Sequence, residues 1–136
     1  MLTVVAALIE WQGKLLVCQR RRGSNFELRW EFPGGKREQG ETLQAALARE
    51  LREELGVTAQ IGPEVHRLRH QYASTGAPFE LVFFAARAPA AELQNLEFER
   101  IEWRRPEELP ELDFLEADRD LVAKLASGAI RAGWMD

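Results

Sequence analysis

A second cysteine is missing from this chain. Cys18 is the single thiol among 136 residues, so no internal disulfide can form. Its place in the apolar run KLLVCQR reads as that of a buried structural residue. Long hydrophobic runs are missing as well. No stretch approaches the roughly 18 to 20 apolar residues of a membrane span, and no charged, apolar and small-residue leader opens the sequence. A soluble, cytoplasmic protein without membrane partners is expected. Positive charge is not in surplus either: 18 Lys and Arg stand against 22 Asp and Glu, for a formal net charge of −4. That balance argues against a binder of nucleic-acid polymer held by a broad basic face. Any phosphate handled here must be met by local arginines or by a metal.

Internal repeats and low-complexity linkers are also absent. With 46% hydrophobic residues the chain can build one real core and is too short for two, so a single domain over 1–136 is expected. Histidine is scarce, and the two present, His66 and His70, stand in HX3H spacing, which binds zinc on a helix. The surrounding EVHRLRH reads as a strand, which separates them by about 13 Å at roughly 3.3 Å per residue, too far to share an ion.

What is present is a sequence of short patterned runs. Residues 3–9 and 14–19 are aliphatic and β-branched around the connection WQG, which predicts a hairpin. VTAQI, EVHRLRHQY, FELVFFAARA and RIEWRR read as strands, with STGAP as a turn. A helix is predicted from Glu41 or Thr42 to Gly56, and a second from about Glu116 to Ser127, closed by Gly128. Two strands, a helix, several mostly antiparallel strands and a closing helix predict an α/β sandwich with a mixed sheet, rather than repeated crossover units.

The run WEFPGGKREQGETLQAALARELREELGV, residues 30–57, carries the chemistry. On a wheel of about 100° per residue, Leu43, Leu47, Leu51 and Leu55 form a stripe spanning about 120°. Glu50 and Glu54 fall within about 20° of Leu43, and Glu53 lies about 80° to one side. A solvated charged helix would turn its acids away from the core. Unpartnered carboxylates buried there cost several kcal/mol each by the usual range, and grouping raises the proton affinity of at least one. A hard divalent cation such as magnesium, which takes oxygen ligands and substrate phosphates, resolves both costs. Arg49 can pair with Glu53 one turn on, while Arg52 points to solvent. Gly34 and Gly35 let backbone pass close to a ligand or offer a carbonyl to a metal.

The spacing Gly35, five residues, Glu41, seven residues, then Arg49-Glu50-Leu51-Arg52-Glu53-Glu54-Leu55-Gly56-Val57 matches without departure the signature GX5EX7REUXEEXGU, where U is aliphatic. The chain therefore resembles the Nudix hydrolases, with the box at 35–57. WEFPGGK, the EW and PEEL pairing and ADRDLVAKL are similar to the MutT-like branch. The resemblance implies an α/β/α sandwich. It also implies a magnesium- or manganese-dependent hydrolase of a nucleoside diphosphate linked to another group, working by attack of a metal-activated water on phosphorus. Glu50, Glu53 and Glu54 are then the metal carboxylates, Gly35 offers its carbonyl, Arg49 orients the acids, and Glu41 anchors the loop to the helix. A further ligand is expected from Glu102, with Glu99 as second choice. Glu50, Glu53 and Glu102 are all candidates for the general base, Glu50 first.

For the substrate, the resemblance points to Arg20 as a nucleotide contact, although a charged strand end would read the same way. Phe32 suits either the base or the core. Asp118 could read the base edge or merely cap the closing helix. The reaction expected is a nucleoside triphosphate pyrophosphohydrolase giving a monophosphate and pyrophosphate, on oxidised purine or cytidine nucleotides. An enzyme for ADP-ribose or another nucleoside diphosphate conjugate keeps the same box with a different pocket. A non-catalytic nucleotide-binding module predicts a lost glutamate, and none is lost. A monomer or homodimer is expected, with a small nucleotide as partner.

Overall fold

A computed structural model describes residues 1–73 and 76–134, so Ser74 and Thr75 of the expected turn lie outside the described residues. The chain runs through β1 (Leu2–Trp11), β2 (Lys14–Gln19), β3 (Trp30–Glu31), β4 (Gly34–Lys36), α1 (Leu43–Leu55), β5 (Gln60–Gln71), β6 (Pro78–Arg87), β7 (Arg100–Arg104) and α2 (Arg119–Ser127). Single 3-10 turns cover Pro106–Glu111 and Glu116–Asp118. The expected closing helix therefore begins as a 3-10 turn and becomes α-helical at Arg119.

The hairpin forms through Gln12 and Gly13, both at positive φ (52° and 76°). This left-handed pair matches the twist of the two strands. Its pairing is short, however: only Glu10 with Leu15 and Trp11 with Lys14 stand opposite each other. Beyond that point the strands part. β1 lies parallel to β6 along Leu2–Ile9 and antiparallel to β4, while β2 takes β7 and β3 as antiparallel neighbours. The sheet is thus mixed and forked. The two runs around Gly62 and Pro63 make one edge strand, β5, with irregular register between Ile61 and His66. Pro63 donates no hydrogen bond, which an edge strand with a bulge tolerates.

Two cores flank the sheet because β1 and β6 are apolar on both sides, as a strand covered on both faces must be. Val5, Ala7 and Ile9 pack with Ala46, Leu47, Leu51 and Leu55 of α1. Ala6 and Leu8 pack with Leu121, Val122 and Leu125 of α2. The architecture is an α/β/α sandwich, as the resemblance implies. α1 is capped at Thr42, whose hydroxyl accepts from the Ala45 N–H, and ends at Gly56 with φ 63°, the left-handed stop that favours glycine. Among the described residues no helix is long and apolar enough to cross a membrane.

β4 lies so close to β1 that a Cβ built on Gly34 would stand 1.9 Å from the carbonyl oxygen of Val5. Gly34→Ala is therefore expected to lower unfolding free energy by at least about 3 kcal/mol, or to prevent folding. Urea denaturation checks this, and a loss under about 1 kcal/mol would mean that this register is wrong.

Candidate active site

α1 sets the site because it must bury its leucine stripe. The same rotation that turns Leu47 and Leu51 inward carries Glu50 and Glu54 to the rim of the sheet, beside β4. Glu54 accepts a hydrogen bond from the Gly34 N–H at 3.0 Å. The Glu50 side chain is only 15% exposed, whereas that of Glu53 is 60% exposed. Gly35 is required by the acid itself: a Cβ there would lie 2.5 Å from the Glu50 carboxyl carbon.

Arg49 binds this arrangement together. Its Nε and Nη2 donate to the two oxygens of Glu41 at 2.8 and 3.0 Å. Nη1 donates to Glu50 at 2.9 Å, and Nη2 also reaches the Lys36 carbonyl at 3.0 Å. The expected pair with Glu53 is present but longer, at 3.5 Å. Glu41 receives the Glu38 N–H as well, and the Arg49 bond first, then that N–H, lowers its pKa to about 2. Glu41 ties the loop to the helix and does not line the cleft. Arg52 is exposed.

An open cleft of about 630 Å³ runs through the fork in the sheet. Glu54, Gly34 and Gly35 line it together with Glu31 and Arg20, and so do Asp118, Ala117 and Tyr72. Glu97 and Phe98 line it as well. Desolvation first, then the charges of Glu50 and Glu31, push the Glu54 carboxyl up to about 9. Glu50 is also raised, by desolvation above all, and Glu31 likewise, against the lowering effect of Arg20. A set of hard oxygen donors that cannot all ionise without a positive neighbour is what a divalent cation relieves. Among the described residues no three His, Cys, Asp or Glu side chains stand together at metal-binding spacing. The fit to a cation therefore rests on donor chemistry, burial and the Gly35 cradle.

A match to the family model for the NUDIX domain covers residues 1–125. The chain belongs to the Nudix family. It is 39% identical to the CTP pyrophosphohydrolase of Escherichia coli strain K12, over 90% of this chain and 89% of that one. It is 37% identical to a putative 8-oxo-dGTP diphosphatase 2 of Mycobacterium tuberculosis, over 90% and 86%. The solution structure of the E. coli ORF135 protein superposes with a TM-score of 0.78 at 38% identity, over 95% of this chain and 89% of that one. This Nudix protein is a MutT-like hydrolase of phosphoanhydride bonds, and hydrolases of the family work with a divalent metal.

The remaining expected residues fall into place unevenly. Arg20 lines the cleft, donating from Nη1 to Glu31 at 3.2 Å and from Nε to the Asn25 carbonyl at 2.6 Å. Phe32 is buried against Phe83 and Phe114, with ring centroids 6.0 and 5.3 Å away, and presents only an edge of the core to the cleft. Asp118 occupies the residue before α2, yet its side chain makes no capping bond. It is 4% exposed and lines the cleft.

Glu102 is not brought to the cleft. It stands opposite Val17, on the face turned away from α1, while its neighbours Ile101 and Trp103 pack on the α1 side. Arg104 and Arg100 take up its carboxylate at 2.7 and 3.3 Å. Glu99 accepts from the Arg22 N–H and is also outside the cleft lining. Sequence reasoning missed Glu97 and Glu31. A lone acid between Trp30 and Phe32 in an otherwise apolar strand was the available signal for Glu31; Glu97, in an irregular loop, had none. His66 and His70 face the closing segment instead, 3.6 Å from Asp120 and 3.2 Å from Glu116.

Burial, with the charge of Glu31 as a smaller cause, raises the Asp118 pKa well above its ordinary 3.8. A carboxyl that holds its proton more tightly when folded contributes full stability below the unfolded pKa. That contribution is lost as pH rises toward the folded value. Asp118→Asn, which is neutral throughout, should therefore gain on the wild type as pH climbs above the ordinary value of 3.8 toward the raised one. Metal-free urea denaturation at a series of pH values reads this, and a constant difference would contradict the burial of Asp118.

Proposed function

We propose that this protein is a magnesium-dependent nucleoside triphosphate pyrophosphohydrolase that takes cytidine nucleotides and releases the monophosphate and pyrophosphate. The observation that carries the base is Asp118, buried, without a side-chain capping bond and lining the cleft, where burial favours its protonated form. A neutral carboxyl offers an O–H donor beside a carbonyl acceptor. Cytosine presents the complement, N3 as acceptor beside the N4 amine as donor. The relative named for CTP supports the same reading. An oxidised guanine, carrying N7–H beside O6, offers the same pair, and the mycobacterial relative makes it the second reading.

For the cleavage end, Glu50, Glu53 and Glu54 are the carboxylates that would hold the metal, with the Gly35 carbonyl beside them. Glu97 stands as the further ligand in place of Glu102, since its charge acts on both Glu54 and Glu31. When bound, a divalent ion neutralises phosphate charge and makes water a stronger nucleophile. Glu50 is the first choice to accept the proton from the attacking water and Glu53 the second. Arg49, by its bond to Glu50, holds that carboxylate toward Gly35. Arg20, which lines the cleft, would meet phosphate or base. The triphosphate is held against α1 and the base against the 116–118 turn.

A panel of nucleoside triphosphates, with ADP-ribose added, assayed with magnesium for pyrophosphate and phosphate release tests the reading. CTP should give the highest kcat/KM; a clear preference for 8-oxo-dGTP would establish the second reading, and ADP-ribose as best substrate would overturn both. Glu53→Gln and Glu97→Gln should each lower kcat by about 100-fold or more, and Glu102→Gln by less than about threefold. Asp118→Ala should erase base preference while Asp118→Asn, which keeps a donor beside an acceptor, retains most of it.

A further inference from the structure

The 3-10 turn Glu116–Asp118 has no side-chain cap of its own, yet it must present Asp118 at a fixed angle if that carboxyl is to read a base. Tyr72, just past the end of β5, supplies a bond from outside the turn: its hydroxyl oxygen accepts from the backbone N–H of Ala117 at 3.2 Å. The Tyr72 ring is itself fixed on several sides. It stacks on Phe79 at 5.8 Å with 18° between planes, meets His70 edge-on at 4.6 Å, and touches Phe26 at 4.8 Å. His70 in turn stands 3.2 Å from Glu116, the first residue of the turn. His70 Nε2 makes no hydrogen bond among the described residues, so the bond that reaches the turn from this side is the one Tyr72 makes at Ala117, immediately before Asp118.

We infer that Tyr72 is a positioning residue for nucleotide selectivity: through its hydroxyl it holds the 116–118 turn so that Asp118 meets the base edge. The inference rests on the proposed role of Asp118. Tyr72 also lines the cleft, so its ring sits beside the bound nucleotide while its oxygen serves the turn. The hydroxyl can accept from Ala117 and still keep its own proton to donate. Replacing it by hydrogen keeps the ring and its packing and removes the oxygen that accepts from Ala117. The Ala117 N–H, buried with its residue, then has a reason to turn elsewhere, and a polar group left unpaired in such a place is costly.

The test is a double-mutant cycle of Tyr72→Phe with Asp118→Ala, measuring kcat and KM for CTP and UTP, which differ at the edge that Asp118 is proposed to read. Tyr72→Phe should raise KM for CTP by about fivefold, the usual worth of one hydrogen bond, with KM for UTP and kcat for CTP changed by less than about twofold. In the Asp118→Ala background the same substitution should have no further effect on the CTP to UTP ratio. A merely structural hydroxyl would raise both KM values together or lower the melting temperature alone, and either result overturns the inference. So does an equal effect of Tyr72→Phe with and without Asp118. If Asp118→Ala leaves the ratio unchanged, the base reading itself fails and this inference with it. If Asp118→Ala abolishes the preference and Tyr72→Phe does not touch it, only the role of Tyr72 is lost.

Discussion

Negative charge gathered beside an apolar core is the constraint to which the rest of this structure answers. Glu50 and Glu54 are drawn to the rim by the leucine stripe of α1, and there each loses water while facing the other. Arg49 relieves part of the strain. Its planar fork meets Glu41 with two bonds and Glu50 with a third, a geometry that a lysine could not reproduce. The residual excess, felt most by Glu54, is left for a cation. Gly34 and Gly35 belong to the same problem, because one lets β4 reach β1 and the other leaves room for the Glu50 carboxyl.

The second acidic group, Asp118, lies on the opposite layer and has a different remedy. Among the described residues it has no arginine ion pair of the kind Arg49 makes with Glu50. Among the described residues the charge of Glu31 acts on it, and Glu31 also acts on Glu54. Glu31 therefore stands electrostatically between the part of the cleft proposed for cleavage and the part proposed for the base, with Arg20 partly cancelling it. A polyanion entering this cleft would be met by Arg20 and, in the proposed reading, by the metal, while burial of Asp118 disfavours a further negative charge there.

The helix box was legible in the sequence because periodicity and spacing are local. The wheel put Glu50 and Glu54 at the apolar edge, and the caps Thr42 and Gly56 are where helix chemistry puts them. The sandwich followed from the order of elements. What the sequence concealed is non-local. Hairpin spacing implies an antiparallel pair, but β1 leaves β2 after two residue pairs, since β4 takes β1 along Val4–Ala6 while β6 holds its other edge. Glu102 was chosen by motif proximity, and the alternation of β7 turned it to the wrong face. Glu97 sits in a segment without periodicity, tied down by the buried Phe98 beside it and by the Asn95 side chain. Asp118 read equally as a cap until its side chain was seen to make no such bond.

The early parting of β1 from β2 has a consequence for how such a protein can change. The groups proposed for cleavage hang from one layer and those proposed for recognition from the other, and they share only an opening between diverging strands. Substitutions around the 116–118 turn can alter which nucleotide is admitted without disturbing the leucines that aim the glutamates. New substrate choices are therefore reachable by single steps on one side of the sheet, while the chemistry on the other is inherited intact.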